Sequence, residues 1–216
     1  MKYDLIIDSR PTEVALALLR DGLLIEFHKE KHDNDFSVGD IYLAKVRKTV
    51  PGLNAAFVNV GYERDGFLHY LDLGPHYNSY KKFTNQAINQ KLNTASLKNF
   101  KKEITIDKEG SINTVLKSGD QLLTQISKEP ISTKGPRLTT EISLAGRYMV
   151  LLPFSDKVSI SQKIDDAKEQ IRLKKLIRSI KPHGFGVIIR TVAKDKKVAD
   201  LDRDLKNLYK KWQLIT

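Results

Sequence analysis

The stretch Leu53–Tyr70, LNAAFVNVGYERDGFLHY, predicts two short β-strands joined by a polar turn. Because side chains alternate along a strand, Phe57 lies on one face of the first strand and Val58 on the other. In the second strand Gly66 precedes Phe67, so that backbone can approach closely beside the ring. The pattern therefore predicts a pair of strands with a phenylalanine on each.

These two rings have two possible roles. Phe57 and Phe67 are flanked by Lys48 and Arg64, and aromatic rings beside cations form a stacking platform for a single-stranded nucleic acid. Both rings could instead belong to the protein core. Residue types alone favour the core, because aromatic side chains are usually buried.

The composition favours a polyanionic partner. The 216 residues include 37 Lys+Arg and 26 Asp+Glu, a net charge of +11. The absence of cysteine excludes disulfides and thiolate metal sites within this chain. No apolar run is long enough to span a membrane, and the N-terminus MKYDLIIDSR lacks a signal-peptide core. We therefore expect a cytoplasmic location and no membrane partner.

The N-terminal residues predict a small meander with no evident chemistry. Residues 3–8 and 13–19 have strand character, and Asp21-Gly22 predicts a hairpin turn into a third strand over residues 23–28. The polar residues 31–37 are typical of a linker.

A second pattern begins at Gly39. Residues 40–49, the two strands around Phe57 and Phe67, and residues 121–128 and 137–142 predict five short strands. A less organised stretch, residues 74–119, interrupts them, with one weak helix expected near 94–102. Five strands with one long connection predict a Greek-key barrel of the OB type, whose strand face binds oligonucleotides.

The last third predicts an α+β or α/β unit. Strands are expected at 147–152 and 186–192, and helices at 165–180 and 198–214. Asp165 and Asp166 favour a helix start, since negative charge is stabilising there. No internal repeat, glycine-rich phosphate loop or cluster of metal ligands occurs in the sequence.

Six short motifs in this order resemble one known family. Together they resemble the N-terminal half of the bacterial ribonuclease E/G family of endoribonucleases, densely from Gly39 to Phe67 and from Lys134 to Trp212. The motifs are Val38–Tyr42, Ala55–Val58, Glu63–Leu68, Lys134-Gly135 with Leu138–Thr140, Ile142–Gly146 and Ile189–Thr191.

The resemblance implies an α+β chain in three parts. Residues 1–38 would be part of an RNase H-like subdomain. Residues 39–141 would be an OB-fold RNA-binding domain carrying an inserted segment at about 74–119. Residues 142–216 would be an α/β domain that senses a 5′-monophosphate. The insertion is longer than the corresponding connection of the family, so its contacts cannot be transferred.

The resemblance also assigns roles to individual residues. It makes stacking on RNA bases the favoured role of the two phenylalanines, and it gives Arg190 and Thr191 the grip on the terminal phosphate. From the residues alone an ordinary surface charge is the favoured explanation of Arg190, although arginine offers a planar fork of donors for phosphate. The candidate RNA-binding residues are Phe57, Phe67, Arg64 and Lys134, and the candidate 5′-phosphate residues are Arg190, Thr191, Gly146 and Val150.

The implied activity is that of a Mg²⁺-dependent endoribonuclease acting on single-stranded RNA in RNA processing and decay, including rRNA maturation and mRNA decay. The family holds Mg²⁺ with paired aspartates and joins its subunits through zinc-binding cysteines, so a homo-dimer or homo-tetramer is expected of the parent protein. Neither feature precedes Thr216. We therefore expect this chain to have no catalytic residue and no metal ligand, and to be inactive alone.

Two alternatives remain open at this point. The chain could be a stand-alone OB-fold RNA-binding protein without a nuclease partner domain. A protein-interaction module is the third possibility, and it would require that the basic face bind no RNA.

Overall fold

Residues 1–31, 36–89 and 95–215 are described by the computed structural model. They form two compact units, Met1–Ser37 and Val38–Thr216. Within the described residues, no helix combines the length and the apolar character needed to cross a membrane. Most of the predicted linker at 31–37 lies outside the described residues.

The first unit is a three-stranded antiparallel sheet, as predicted. Its strands are β1 (Tyr3–Arg10), β2 (Glu13–Arg20) and β3 (Leu23–Lys31), in the order β1-β2-β3. Asp21 and Gly22 both have positive φ, 49° and 82°, as a two-residue Asp-Gly hairpin turn requires.

One face of this sheet is apolar and exposed. Leu5 pairs with Leu18 and Ile7 with Leu16, so all four side chains lie on one face. Leu5 and Ile7 are 63% and 60% exposed. A sheet normally buries such a face against a second layer.

The second unit begins with a closed five-stranded barrel. Its strands are β4 (Ile41–Val50), β5 (Ala55–Asn59), β6 (Gly66–His69), β7 (Gln121–Lys128) and β8 (Arg137–Thr139). Their order around the barrel is β4-β5-β6-β8-β7, and β4 pairs with both β5 and β7. The β6–β8 pair is parallel and the others are antiparallel. The predicted α+β chain with a five-stranded barrel is confirmed, and its topology is consistent with an OB-fold.

Strand alternation decides what the barrel encloses. In β5 the side chains of Ala56 and Val58 are fully buried, and in β6 that of Leu68 is too. Phe57 and Phe67 point to the opposite face and are only half-buried. The two phenylalanines therefore lie outside the barrel core.

The segment between β6 and β7 is more ordered than the sequence analysis expected. It forms the helix α1 (Tyr77–Ile88) and the short helix α2 (Ile112–Val115). The helix predicted near 94–102 is wrong over residues 95–102, which are not helical, and Thr94 lies outside the described residues. Asn, Ser, Thr and the aromatic residues make α1 a weak helix by propensity, and its tertiary contacts decide the outcome.

A four-stranded sheet with two helices completes the chain. Its strands are β9 (Leu144–Ala145), β10 (Met149–Pro153), β11 (Val158–Ile160) and β12 (Phe185–Ile189), in the order β11-β12-β10-β9. Only β11 and β12 run parallel. The helices are α3 (Ala167–Ile180) and α4 (Val198–Gln213), close to the predicted ranges, and the Asp166 carboxylate caps α3 by accepting from Lys168 N at 2.8 Å.

Aromatic residues join α1 to the core of this sheet. The ring centroids of Tyr80 and Phe154 are 4.6 Å apart, and those of Phe83 and Trp212 are 5.1 Å apart. The indole N–H of Trp212 donates to Ala95 O at 2.9 Å. Burying aromatic rings of this size contributes much of a core's stability. The predicted division of residues 39–216 at 141/142 stays a prediction.

Candidate nucleic-acid interface

A cleft of about 670 Å³ opens on the outer face of the barrel. It is formed where β4, β5 and β6 meet the loop between β7 and β8. The residues that line it are Lys48, Phe57, Arg64, Asp65, Phe67, Thr133, Lys134, Gly135 and Arg137. The four predicted RNA-binding residues therefore converge on one cleft. They come from β5, β6 and two loops.

The two phenylalanines form the apolar floor of the cleft. Phe57 and Phe67 are direct cross-strand partners, with ring centroids 6.0 Å apart and planes at 71°. This edge-to-face geometry is favourable for an aromatic pair. Because both rings are half-buried, each keeps surface on which a flat ligand can stack.

A β-bulge brings a cation to this floor. The register between β4 and β5 shifts between Val46 and Lys48, so Arg47 is the extra residue. Lys48 Nζ lies 5.4 Å from the Phe57 centroid, within cation–π range. Arg47 pairs instead with Asp65 at 3.3 Å. Sequence alternation alone does not reveal a bulge, so Lys48 appeared only as a flanking charge.

A glycine allows the loop from β7 to β8 to close the cleft. A Cβ atom at Gly135 would lie 2.2 Å from the backbone oxygen of Asp65, which no other residue could tolerate without a shift. Next to it, Phe67 N donates to Pro136 O at 2.8 Å. This close approach carries Lys134 and Arg64 to the same cleft.

The charges of the cleft are mostly uncompensated. Arg137 forms an ion pair with Asp72 at 3.0 Å. Over the described residues, Lys48, Arg64 and Lys134 have no carboxylate at ion-pairing distance. Three free cations around two aromatic rings suit a ligand that has both flat rings and phosphates.

The second predicted site lies where β12 ends. Arg190 N donates to Tyr148 O at 2.9 Å, and Arg190 Nη1 donates to Gly146 O at 2.7 Å. A guanidinium has five N–H donors, so this bond leaves several for a ligand. The Arg190 side chain is exposed.

Two hydroxyl groups meet beside this arginine. The Thr191 and Ser161 hydroxyl oxygens are 3.0 Å apart, and Ser161 N donates to Ile189 O at 2.9 Å. The sequence analysis missed Ser161. It follows β11, the parallel neighbour of β12, and the carboxyl ends of parallel strands meet at one edge of a sheet. Because β11 was not predicted as a strand, that rule could not be applied from the sequence.

An aspartate fixes the backbone opposite Arg190. The Asp204 carboxylate accepts from Tyr148 N at 2.8 Å and from Arg147 N at 3.2 Å. A Cβ atom at Gly146 would lie 2.7 Å from Asp204 Oδ2, so a glycine lets α4 approach the loop.

Val150 completes the predicted phosphate set. It pairs with Ile188 and Ala145 on neighbouring strands, and it is half-buried. The four predicted phosphate residues therefore lie at or near one end of the sheet: Val150 on β10, and Gly146, Arg190 and Thr191 in the turns beside the strands.

No metal site emerges within residues 1–31, 36–89 and 95–215. Over that part of the chain no three or more His, Asp or Glu side chains are grouped to hold a metal ion. Asp166 caps α3, and Asp165 lies 3.4 Å from Lys194 Nζ. The helix-start interpretation agrees with the contact of Asp166, whereas Asp165 forms an ion pair instead.

Comparisons with known proteins agree with the resemblance. The model of the ribonuclease E/G family matches residues 143–216. Ribonuclease G of Escherichia coli K12 is 33% identical over 212 residues, which are 98% of this chain and 40% of that protein. Ribonuclease G of Haemophilus influenzae is 32% identical over the same share of this chain and 39% of its own length. Ribonuclease E of Synechocystis is 38% identical over 179 residues, 82% of this chain and 23% of that protein.

The chain thus spans at most about two fifths of the length of these relatives, 40% for the Escherichia coli protein. The matches nevertheless cover almost the whole chain, including the barrel cleft and the end of the four-stranded sheet. The chain belongs to the ribonuclease E/G family.

Proposed function

We propose that this chain binds single-stranded RNA and senses a 5′-monophosphate, as the RNA-recognition part of an endoribonuclease. The relatives named above are ribonucleases, which supports RNA as the ligand. The single-strand preference, the 5′-end preference and a role in RNA processing and decay belong to the proposal.

One observation carries the proposal. The barrel cleft joins two half-exposed phenylalanine rings, Phe57 and Phe67, to three cations without carboxylate partners, Lys48, Arg64 and Lys134. Bases stack on such rings only when they are not held in a duplex, and each stacked base contributes about 1–3 kcal/mol. The cations supply attraction for the backbone between the bases.

The end of the four-stranded sheet supports the 5′-end preference. A terminal monophosphate carries up to two negative charges and three free oxygens, whereas an internal phosphodiester carries one charge and has a sugar on each side. The free N–H groups of Arg190 and the hydroxyls of Thr191 and Ser161 suit the terminal group. Asp204 holds the backbone next to Gly146, and Gly146 O accepts from Arg190, so the guanidinium is oriented before a ligand arrives.

The exposed N-terminal sheet supports the predicted RNase H-like part. An apolar face that leaves Leu5 and Ile7 more than half exposed is costly in water unless another layer covers it. We propose that residues 1–38 form one layer of such a subdomain. A stand-alone RNA-binding protein would have no use for an uncovered apolar sheet.

Cleavage itself is not assigned to the described residues. We propose that the parent enzyme uses Mg²⁺, is cytoplasmic and is a homo-oligomer. Among the described residues, no three or more His, Asp or Glu side chains are grouped to hold a metal ion. We expect purified chain with labelled RNA and Mg²⁺ to give no specific cleavage.

A titration tests the proposal. The chain is titrated with one unstructured RNA carrying a 5′-monophosphate, the same RNA with a 5′-hydroxyl, and its duplex, at one fixed salt concentration. We expect the affinity to fall in that order. Equal affinities for the two 5′ ends would overturn the sensor, and equal affinities for single strand and duplex would overturn the stacking cleft.

A further inference from the structure

The four-stranded sheet has one covered and one open face. Alternate residues of its central strands, such as Leu151 and Val187, are fully buried in the core. Their neighbours point the other way and form a row across the open face. The members of the row are the cross-strand partners Ser159, Ile188, Val150 and Ala145. Ile188 is 39% exposed although it lies inside the sheet.

A cavity of about 320 Å³ lies at one end of this open face. Its floor includes Ile188 and Leu152, and Ser159 lies beside them. Its walls come from outside the sheet and include His76, Glu141 and Asp156. None of these six residues belongs to the barrel cleft or to the set of Arg190 and Thr191.

The cavity lies one nucleotide step or two from Arg190. The backbone of Arg190 is extended, so its side chain lies on the same face as that of Ile188, two residues earlier in the chain. Two residues of strand span about 7 Å, and four residues about 13 Å. The cavity begins at Ile188 and continues past it towards Ser155, which covers Gly186.

The chemistry of the cavity suits a neutral ring better than a second phosphate. Asp156 is paired with Lys102. Both Glu141 and Lys157 line the cavity, so its charges balance and offer a phosphodiester no net attraction. The Glu141 carboxylate can accept from the amino group of a base, as carboxylates do from cytosine N4. The apolar floor offers one flat face to such a ring.

The imidazole of His76 also lines the cavity. Burial and the nearby Lys102 lower the pKa of its imidazole, which keeps the ring uncharged near neutral pH. Glu141 and Asp156 oppose this shift, and Lys157 adds to it. Uncharged imidazole can stack on a base as other aromatic rings do.

We infer that this cavity binds a nucleobase from one of the first two nucleotides of the RNA. The inference rests on the proposed binding of the 5′-phosphate at Arg190 and Thr191. It adds a base contact near the 5′ end that is separate from stacking on Phe57 and Phe67.

The test uses the whole chain and 5′-phosphorylated hexaribonucleotides. One RNA has all its bases, and the others lack the base at position 1, 2 or 5. The variants are Ile188→Ser and His76→Ala, with Ile171→Ser as the matched control. Ile171 is an exposed isoleucine, 68% accessible, on α3.

We expect removal of the base at position 1 or 2 to weaken binding about five-fold or more, and removal at position 5 to have less effect. We expect Ile188→Ser and His76→Ala to bind the complete RNA more weakly than wild type by the same factor. On the RNA that lacks the critical base, both variants should bind as weakly as the wild type does. Ile171→Ser binds as the wild type does. If both cavity variants bind every RNA normally, the inference is wrong.

A parallel titration of Arg190→Ala separates this inference from the proposed function. If Arg190→Ala keeps the preference for a 5′-monophosphate, the proposed phosphate site is overturned. The results for Ile188→Ser and His76→Ala then decide whether the cavity binds a base. If Arg190→Ala loses that preference while both cavity variants behave as wild type, the phosphate site stands and the base subsite is overturned.

Discussion

The barrel cleft and the end of the four-stranded sheet offer an RNA two different kinds of contact. The cleft presents side-chain surfaces, the rings of Phe57 and Phe67, on the outer faces of two strands. The sheet end presents hydrogen-bond donors from Arg190, which donates to Gly146 O, and from Thr191, whose hydroxyl contacts that of Ser161. A ring accepts any base, whereas fixed donors fit one charged group.

This difference predicts different behaviour for changes at the two places. Loss of a phenylalanine ring weakens the binding of every single-stranded RNA by a similar factor, because any base can stack on an aromatic ring. Loss of a hydrogen-bond donor at the sheet end weakens binding only for an RNA that carries a 5′-monophosphate. Each experiment below alters one site and asks whether the other still behaves as the wild type.

The largest expected effect is at Arg190. Arg190→Ala removes the charged fork, and a hydrogen bond to a charged group contributes roughly 1.5–3 kcal/mol. Binding of 5′-monophosphorylated RNA falls about ten-fold or more, and binding of 5′-hydroxyl RNA does not change. Arg190→Lys is the control, because lysine keeps the positive charge but lacks the planar set of guanidinium donors. We expect it to recover part of the lost affinity. An equal loss on both RNAs would show that Arg190 is a general phosphate contact.

A smaller effect, shared by both RNAs, is expected in the cleft. Phe57→Ala or Phe67→Ala removes a stacking surface worth about 1–3 kcal/mol per base, so both RNAs bind about five-fold more weakly. Leu53→Ala is a control at a 55% exposed apolar residue outside the cleft lining. Circular dichroism checks that each variant is folded. Normal binding by a folded variant removes that phenylalanine from the interface.

A glycine tests how the cleft is built. A Cβ atom at Gly135 meets fixed backbone of Asp65, so Gly135→Ala costs about 1–3 kcal/mol of unfolding free energy. At Gly52 a Cβ atom meets nothing within 4 Å, which makes Gly52→Ala the matched control, with a change within about 0.5 kcal/mol. Denaturant unfolding measures both. Equal stabilities would mean that the loop can move away from Asp65 without cost.

The smallest effect concerns the turn that follows Thr191. The Glu169 carboxylate accepts from Arg172 Nε at 2.6 Å and from Asp195 N at 3.0 Å. These contacts, the Arg172 hydrogen bond first, hold the pKa of Glu169 below its ordinary value of 4.5. A carboxylate whose pKa is lowered on folding stabilises the fold at any pH above its ordinary pKa. This stabilisation is lost as the pH falls through the lowered pKa of the folded state.

Glu169→Gln therefore destabilises the chain by about 1 kcal/mol or less at pH 7, since Arg172 is partly exposed to solvent. The difference from wild type shrinks as the pH falls below 4.5. Thermal unfolding at pH 7 and pH 3 measures it. A difference that grows at low pH would contradict the stated role of this carboxylate.

Local patterns were enough to predict much of the fold. Alternation around Phe57 and Phe67, the Asp21-Gly22 turn and the periodicity of α3 and α4 correspond to observed elements. The resemblance to the family placed the candidate residues in two groups, and the structure brings each group together.

Long-range contacts account for what the sequence did not reveal. The helix α1 has weak propensity and is stabilised by packing of Tyr80 and Phe83 against residues far along the chain. The spacing of its buried residues, i, i+3 and i+6 from Tyr77, was the one local indication. Lys48 reaches the cleft through a bulge, and the contact of Ser161 with Thr191 depends on the pairing of β11 with β12. Neither is visible in a single stretch of sequence.

One measurement tests the two-site account most directly. Backbone amide NMR shifts of the labelled chain are followed while a 5′-monophosphorylated hexaribonucleotide is added, and again with the 5′-hydroxyl form. Both RNAs are expected to shift the amides of Phe57, Phe67 and Lys134, and only the phosphorylated form those of Arg190 and Thr191. Identical shifts from the two RNAs, or shifts that avoid the barrel cleft, would contradict the account.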